Sequence, residues 1–161
     1  MIVVSDTSPI LNLLRVDRLE LLTLLYGQVL IPPAVFAELS AKTDLAPVMG
    51  IDFMSSLIIG TPNDQKRVQE LRHSLDAGEA EAIVLAVERQ ADLLLVDERR
   101  ARRTAEAAGL RITGLLGVLA DAKRAGLIDL VKPVLDDLMQ HARFWIGPEL
   151  YEAVLAELGE G

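Results

Sequence analysis

A chain of 161 residues, 51% of them hydrophobic, is long enough for one domain with a sizeable core and too short for two comfortable ones. It contains no cysteine, which excludes disulfides, thiol catalysis and cysteine-ligated zinc and fits a reducing compartment. The formal net charge of −8 argues against nonspecific nucleic-acid binding by bulk electrostatics, so a polyanionic ligand needs a local basic patch or a metal.

Residues 1–4 read as a short buried strand, and Ile10, Leu11, Leu13 and Leu14 recur at helical spacing over residues 8–14. A second helical piece covers 19–25 and ends at Gly27. Residues 29–31 form a second strand, closed by Pro32 and Pro33, which also open a helix over 34–41. Residues 43–50 read as loop and 57–59 as a weaker strand. Asn63 caps a helix through about Leu75, where Asp76 and Gly78 break and restart the chain. The run 79–90 is strongly apolar, which predicts a helix buried on more than one side. Residues 93–96 form a fully buried strand, 99–108 a helix ended by Gly109, 111–113 a short strand, and 115–125 a helix ended by Gly126. Residues 127–161 add two helices, the second starting near Pro148.

Strands alternating with helices predict an α/β fold in three layers, a central parallel sheet with helices on both faces. No repeat, low-complexity tract or linker divides the chain, so the expectation is one domain, 1–161, with 127–161 a helical extension packed on it. Residues 1–8 lack a charged leader, a long apolar run and a cleavage signal, and no apolar stretch reaches the roughly 18 residues that span a bilayer. A soluble cytoplasmic protein is expected.

Four acids stand at the ends of separate apolar segments. Asp6 follows the first strand, Glu38 lies one helical turn past Pro33, Glu79 opens the alanine-rich helix, and Asp97 ends residues 93–96. In a parallel sheet the carboxyl ends of the strands face one crevice, so all four can converge on one edge. An unpaired buried ion costs about several kcal/mol. No lysine or arginine is an obvious buried partner for them, which makes a divalent metal the economical counter-charge, and carboxylates suit Mg²⁺ or Mn²⁺.

The stretches Val3-Val4-Ser5-Asp6-Thr7-Ser8, Pro32-Pro33-Ala34-Val35-Phe36-Ala37-Glu38-Leu39, Gly78-Glu79-Ala80-Glu81-Ala82-Ile83 and Leu93 to Asp97 carry a family resemblance. In this order and spacing they resemble the PIN-domain nucleases, and within them the VapC-like toxins of prokaryotic toxin–antitoxin pairs. The match spans residues 1 to about 120, and the longer tail resembles a PIN-like branch with a C-terminal helical extension. The resemblance implies a metal-dependent endoribonuclease in which Asp6, Glu38, Glu79 and Asp97 are the catalytic metal ligands. It also implies an antitoxin partner, whose arginine would replace the metal's charge among the acids.

Each of these residues has a structural role open to it as well. Asp6 precedes a helix as a common N-cap does, although Thr7 and Ser8 can cap and leave its carboxylate free. Glu38 borders the buried face of Val35 and Leu39. Asp76-Ala77-Gly78-Glu79 reads as a capping box, while Glu79 shares a face with Ile83 and Ala86 and is therefore aimed inward. Glu81 shares its face with Leu85 and Glu88 and stays open as the third acid. Asp97 can cap the helix of Arg99, and Glu98 leaves the fourth position open by one residue. Arg99, Arg100, Arg102 and Arg103 form the one dense basic cluster. Alone it reads as a solvated face balanced by Glu98 and Glu106; beside a metal it suits phosphates flanking a scissile bond, with Arg99 and Arg100 foremost. His73 and His141 read as surface histidines.

Two other enzymes fit less well. A haloacid-dehalogenase-like phosphatase needs an aspartate where Ser8 stands, and a receiver domain needs an acidic pair at the first strand and a late lysine. The non-enzyme alternative is a PIN-like fold kept as a silent binding module. Leu127, Ile128, Leu130, Val131, Val134, Leu135 and Leu138 either complete the core or leave surplus apolar surface for a homodimer and a partner helix.

Overall fold

The computed structural model describes residues 1–42 and 57–161. The loop expected over 43–50 lies outside the described residues. Five strands, β1 (Val3–Ser5), β2 (Val29–Ile31), β3 (Leu57–Ile59), β4 (Leu93–Leu95) and β5 (Ile112–Thr113), make one sheet in the order β3-β2-β1-β4-β5. Every pairing is parallel, with Val3 opposite both Val29 and Leu93. The chain steps outward from β1 to β2 and β3, then returns to lay β4 on the other side of β1. The direction of winding therefore reverses between β1 and β4, where the carboxyl ends of two strands open a crevice.

The described helices are α1 (Thr7–Arg15), α2 (Glu20–Tyr26), α3 (Pro33–Lys42), α4 (Gln65–Leu71), α5 (Ala77–Glu88), α6 (Arg99–Ala107), α7 (Leu115–Arg124), α8 (Lys132–His141) and α9 (Pro148–Glu157). Successive strand side chains point to opposite faces, and both faces are covered. Val3, Val29, Ile31, Leu93 and Leu95 pack into one core with Ile10, Leu13, Leu22, Leu119 and Leu135. Val4, Leu94 and Val96 pack into a second with Leu75, Ile83, Leu85, Ala101 and Ala105. This two-sided burial is why the strands read as continuous apolar runs rather than alternating ones. Helix α5 is buried from Gly78 to Ala86 except at Glu81, as its apolar composition predicted, and its outer side is covered by Val68 of α4. Gly109 and Gly126, with φ +82° and +76°, stop α6 and α7 in the left-handed conformation that glycine adopts without strain.

One expectation changes and one open alternative is decided. Helix α4 is capped by Asp64, not Asn63, its carboxylate accepting from the Arg67 amide at 3.0 Å, and it ends at Leu71. The Asn63 and Asp64 amides instead donate to the Glu88 carboxylate at 2.6 and 3.0 Å, which ties the start of α4 to the end of α5. In the C-terminal segment Ile128, Val131, Val134, Leu135 and Leu138 are buried in the larger core and Leu127 packs against it. Only Leu130, 53% exposed, is left of the anticipated surplus, so these residues complete the core.

The extension is also held by polar contacts. Glu160, close to the end of the chain, accepts from the Val131 and Lys132 amides at 2.8 and 2.9 Å and from Lys123 Nζ at 2.8 Å. A carboxylate at the start of α8 thus answers both the unpaired amides of that helix and a lysine of α7. Among the described residues no helix is long and apolar enough to cross a membrane.

Candidate functional site

Asp6 is the first residue past β1 and stays in the sheet through its amide, which donates to Leu95 O of β4 at 2.9 Å. It stands at the N-cap of α1, yet its side chain makes no capping bond. The carboxylate is 5% exposed, directly beside the reversal point of the sheet. Burial pushes its pKa up to about 7; the Thr7 amide works against this, and the charges of Asp76, Glu79 and Glu38 add to it.

Glu38 reaches this point from α3. Its helix is set by Val35 and Leu39, both fully buried, which leave Glu38 on the border of the packed face. Glu38 Oε2 accepts from Thr7 Oγ1 at 2.9 Å, and Oε1 is held at 2.9 Å by Lys42 Nζ one helical turn on. The two carboxylates close around Gly78. A methyl group on Gly78 would lie 3.3 Å from Asp6 Oδ1 and 3.4 Å from Glu38 Oε2, so the missing side chain keeps the gap between them open.

Glu79, 9% exposed, follows on the same turn. The capping box expected here is present: Glu79 N donates to Asp76 Oδ1 at 2.8 Å, and Asp76 N to Glu79 Oε2 at 3.2 Å. Burial, then the neighbouring Asp76 charge, push the Glu79 pKa up to about 7, and Glu98 adds to the rise. Both readings of Glu79 hold together, because a cap at this helix start faces the crevice. Glu81, the other choice for the third acid, turns instead toward the start of α3, where it accepts from the Ala34 amide at 3.3 Å.

Asp97 behaves differently from the other three. Its Oδ1 accepts from the Leu115 amide at 3.0 Å and so caps α7, and the Arg102 guanidinium lies close by. Burial raises its pKa, while the Leu115 amide and Arg102 work against the rise. Its Oδ2 is buried and has no hydrogen-bond partner among the described residues. Gly114 packs directly against Asp97 Oδ1 and Arg102, so any side chain there would collide with both. Glu98, beside it, is the N-cap of α6, accepting from the Ala101 amide at 2.9 Å, and its pKa is held down chiefly by that bond.

The structure thus brings Asp6, Glu38 and Glu79 together and turns Asp97 toward α7. In the sequence no lysine or arginine is an obvious buried partner of these acids; the structure pairs Glu38 with Lys42, an exposed side chain, and sets the Arg102 charge near Asp97 while Arg102 itself donates to Val96 O. Neither residue is predictable from a linear scan, since Arg102 acts across the β4–α6 connection and Lys42 looks like an ordinary helix-surface pair. Asp76 was missed as a member of the group, although the legible capping box brings its side chain to the crevice beside Glu79. Among the described residues no three His, Asp or Glu side chains stand as a closed set of metal ligands. Thr7 and Lys42 engage Glu38, the capping box engages Glu79 and Asp76, and Leu115 engages Asp97.

The donor chemistry nonetheless fits a hard divalent cation. All the donors are carboxylate oxygens, Gly78 leaves room between two of them, and burial of like charges is relieved by positive charge. Next to this group lies a cleft of about 830 Å³, lined by Asp97, Glu98, Arg99, Arg102, Arg103 and Arg143 among others. Arg99 lines it as anticipated. Arg100 does not, and donates instead to Ser74 O at 3.3 Å. His73 and His141 are exposed.

These features define a three-layer α/β protein with buried acids at the point where its parallel sheet reverses. The model of the family DUF3368, PIN domain, matches residues 2–160, and the chain belongs to that PIN-domain family. PIN domains are generally nucleases that use divalent metal ions. Among solved structures the chain is similar to a PilT N-terminus domain protein, SSO1118, from the archaeon Sulfolobus solfataricus. The two share 19% identity with a TM-score of 0.53, over 76% of this chain and 93% of the other, a likeness of fold. No curated protein matches the chain.

Proposed function

We propose that this protein is a metal-dependent endoribonuclease of the VapC-like kind, which cleaves RNA phosphodiester bonds with metal-activated water. The observation that carries this reading is Asp6, a carboxylate 5% exposed, ringed by Asp76, Glu79 and Glu38, with a pKa near 7. A site that stores like charge at this cost suits a cation and little else. Asp6 and Glu38 would hold the ion across the gap at Gly78, and Glu79 and Asp76 would anchor its outer side. Thr7 fixes the Glu38 carboxylate, and the unpartnered Asp97 Oδ2 offers a further acceptor. When bound, Mg²⁺ or Mn²⁺ would supply an acidified water and positive charge for the scissile phosphate. Incubation of the pure protein with mixed RNA should give cleavage only with Mg²⁺ or Mn²⁺; no metal-dependent cleavage would end the enzyme reading.

Gly78→Ala provides a sharper test of the gap. Alanine is favoured over glycine inside a helix by about 1 kcal/mol, so the melting temperature should hold or rise slightly. The added methyl displaces two carboxylates by a few tenths of an ångström, and cleavage should fall on the order of tenfold or more. Unchanged cleavage would remove Asp6 and Glu38 as a joint site.

The toxin role, restraint by an antitoxin and a homodimer belong to the same proposal. An antitoxin arginine among the acids would do what Lys42 does for Glu38. The homodimer no longer has surplus apolar surface in 127–138 behind it, and a monomer by light scattering would remove it. The catalytically silent binding module is favoured by one observation, that both Glu38 oxygens are already engaged by Thr7 and Lys42. RNA bound but left uncut in the presence of metal would decide for that reading.

A further inference from the structure

We propose that the arginine-lined cleft beside the acidic group binds single-stranded RNA, with phosphates on Arg99, Arg103 and Arg143 and a base stacked on Trp145. The proposal deepens the nuclease reading by saying how that site would hold its substrate. The cleft, of about 830 Å³, is formed where α6 and the start of α7 face the connection between α8 and α9. That connection brings Arg143, Phe144 and Trp145 to the same wall as Arg99 and Arg103, forty or more positions earlier in the sequence.

The charges of the wall are not equally engaged. Arg102 is committed, donating to Val96 O at 3.1 Å and flanking Asp97. Asp97 and Glu98, which also line the cleft, give their carboxylates to the amides of Leu115 and Ala101. Glu106 is the remaining acid of the wall. Arg99 and Arg143 are exposed, and their side chains have neither an ion pair nor a hydrogen bond among the described residues. Among the described residues Arg103 meets only the nearby charge of Glu98. In a chain of net charge −8, uncommitted arginines gathered in a cleft supply the local positive field that its overall charge denies.

Trp145 is the chain's one tryptophan and is 73% exposed, while Ile146 beside it is buried. A large ring held at the rim of a cleft between arginines matches the way unpaired bases are recognised, by stacking on aromatic faces and guanidinium planes with the backbone following positive charge. An acidic segment of a partner protein could use the same arginines; unpaired bases are favoured because every base offers a face to stack on the exposed ring while its phosphate meets an arginine. Glu98 lies on the cleft wall and close enough to Glu79 to raise its pKa, and Ser8, two residues past Asp6, lines the same cleft, so a strand in the cleft would run toward the proposed cutting site.

The test is binding of a short dye-labelled oligouridine to the intact protein in EDTA, where no cleavage is needed, followed by fluorescence anisotropy of the label for every variant and, in the wild type, by the intrinsic fluorescence of Trp145, the one tryptophan. Quenching on titration is expected. Trp145→Ala should weaken binding about tenfold and Trp145→Phe should restore most of it. Arg99→Ala combined with Arg143→Ala should weaken binding and flatten the slope of log K against log salt by about 1.4, the value for two lost phosphate contacts on a single strand. Unchanged melting temperatures keep these outcomes interpretable, since all three side chains are exposed. No quenching, unchanged affinity in the variants, or tighter binding of a polyglutamate peptide than of the oligouridine would overturn the proposal. If cleavage requires metal and Asp6 while the Trp145 variant binds normally, the cleft proposal fails and the nuclease reading stands. If binding depends on Trp145 and no metal restores cleavage, the reverse holds.

Discussion

Asp6→Asn is expected to abolish metal-dependent RNA cleavage and, in the same protein without metal, to raise the melting temperature above pH 7. The loss follows from the position of Asp6, the most deeply buried acid of the group and the one whose charge is opposed by three others. A bound cation contributes several kcal/mol of charge stabilisation to the reaction, and about 3–4 kcal/mol corresponds to a rate loss on the order of 10²–10³-fold.

The gain in stability has an independent origin. The folded-state pKa of Asp6 lies at about 7, against 3.8 for the free side chain. Between about pH 4 and pH 7 the folded chain keeps a proton that the unfolded chain has released, so this group's effect on stability becomes more unfavourable as pH rises and levels off above pH 7. Full ionisation then costs the folded state on the order of 4 kcal/mol, less where Glu79 shares the proton. An asparagine removes that cost, and for a chain of this size the melting temperature should rise on the order of 10 °C at pH 8 and hardly at all at pH 4. Thermal melts across pH 4–8 together with an RNA cleavage assay measure both effects. Wild-type cleavage in the variant would sink the proposed site, and a destabilised variant at pH 8 would contradict the charge crowding.

Mg²⁺ or Mn²⁺ should raise the melting temperature of the wild-type protein at pH 8 and do so much less at pH 5. Only the folded chain assembles the acids, so a metal at a hundred times its dissociation constant stabilises by about 2.7 kcal/mol. At pH 8 Asp6 and Glu79, both with pKa values near 7, are ionised and available. At pH 5 both carry protons in the folded state, and an ion must displace them, which weakens its apparent affinity. Removing the ion with EDTA should return the pH 8 melt to its metal-free value. An equal metal shift at both pH values would locate the ion away from Asp6 and Glu79, and no shift at pH 8 would favour the silent binding module.

The boundaries that the sequence read well are those with chemical punctuation. Gly109 and Gly126 end their helices in the left-handed conformation, Pro33 and Pro148 open theirs, and the Asp76 to Glu79 box starts α5 as expected. The misplaced cap at Asn63 shows where such punctuation is ambiguous. Asn63 and Asp64 are both good caps, and the choice between them was made by Glu88, a residue from another helix that engages both amides. The same limit explains why the apolar residues of 127–138 could not be assigned to core or interface. Their number was visible, but the area available to cover them depends on how α8 lies against the sheet.

For the site, the sequence by itself determined the parallel α/β fold and the positions of Asp6, Glu38, Glu79 and Asp97, because strand ends, helix starts and apolar periodicity are local properties of the chain. Only the tertiary structure decided which of these acids share an environment. β1 and β4 are neighbours despite the long segment between them, and the first turn of α5 brings Gly78 between Asp6 and Glu38 with Asp76 beside them. Asp97 is drawn to the Leu115 amide, and Arg143 and Trp145 come to the cleft from the end of the chain. The physical reason is that burial and Coulomb interactions depend on distance in space over a few ångströms, and a linear pattern specifies the ends of elements without specifying which ends meet.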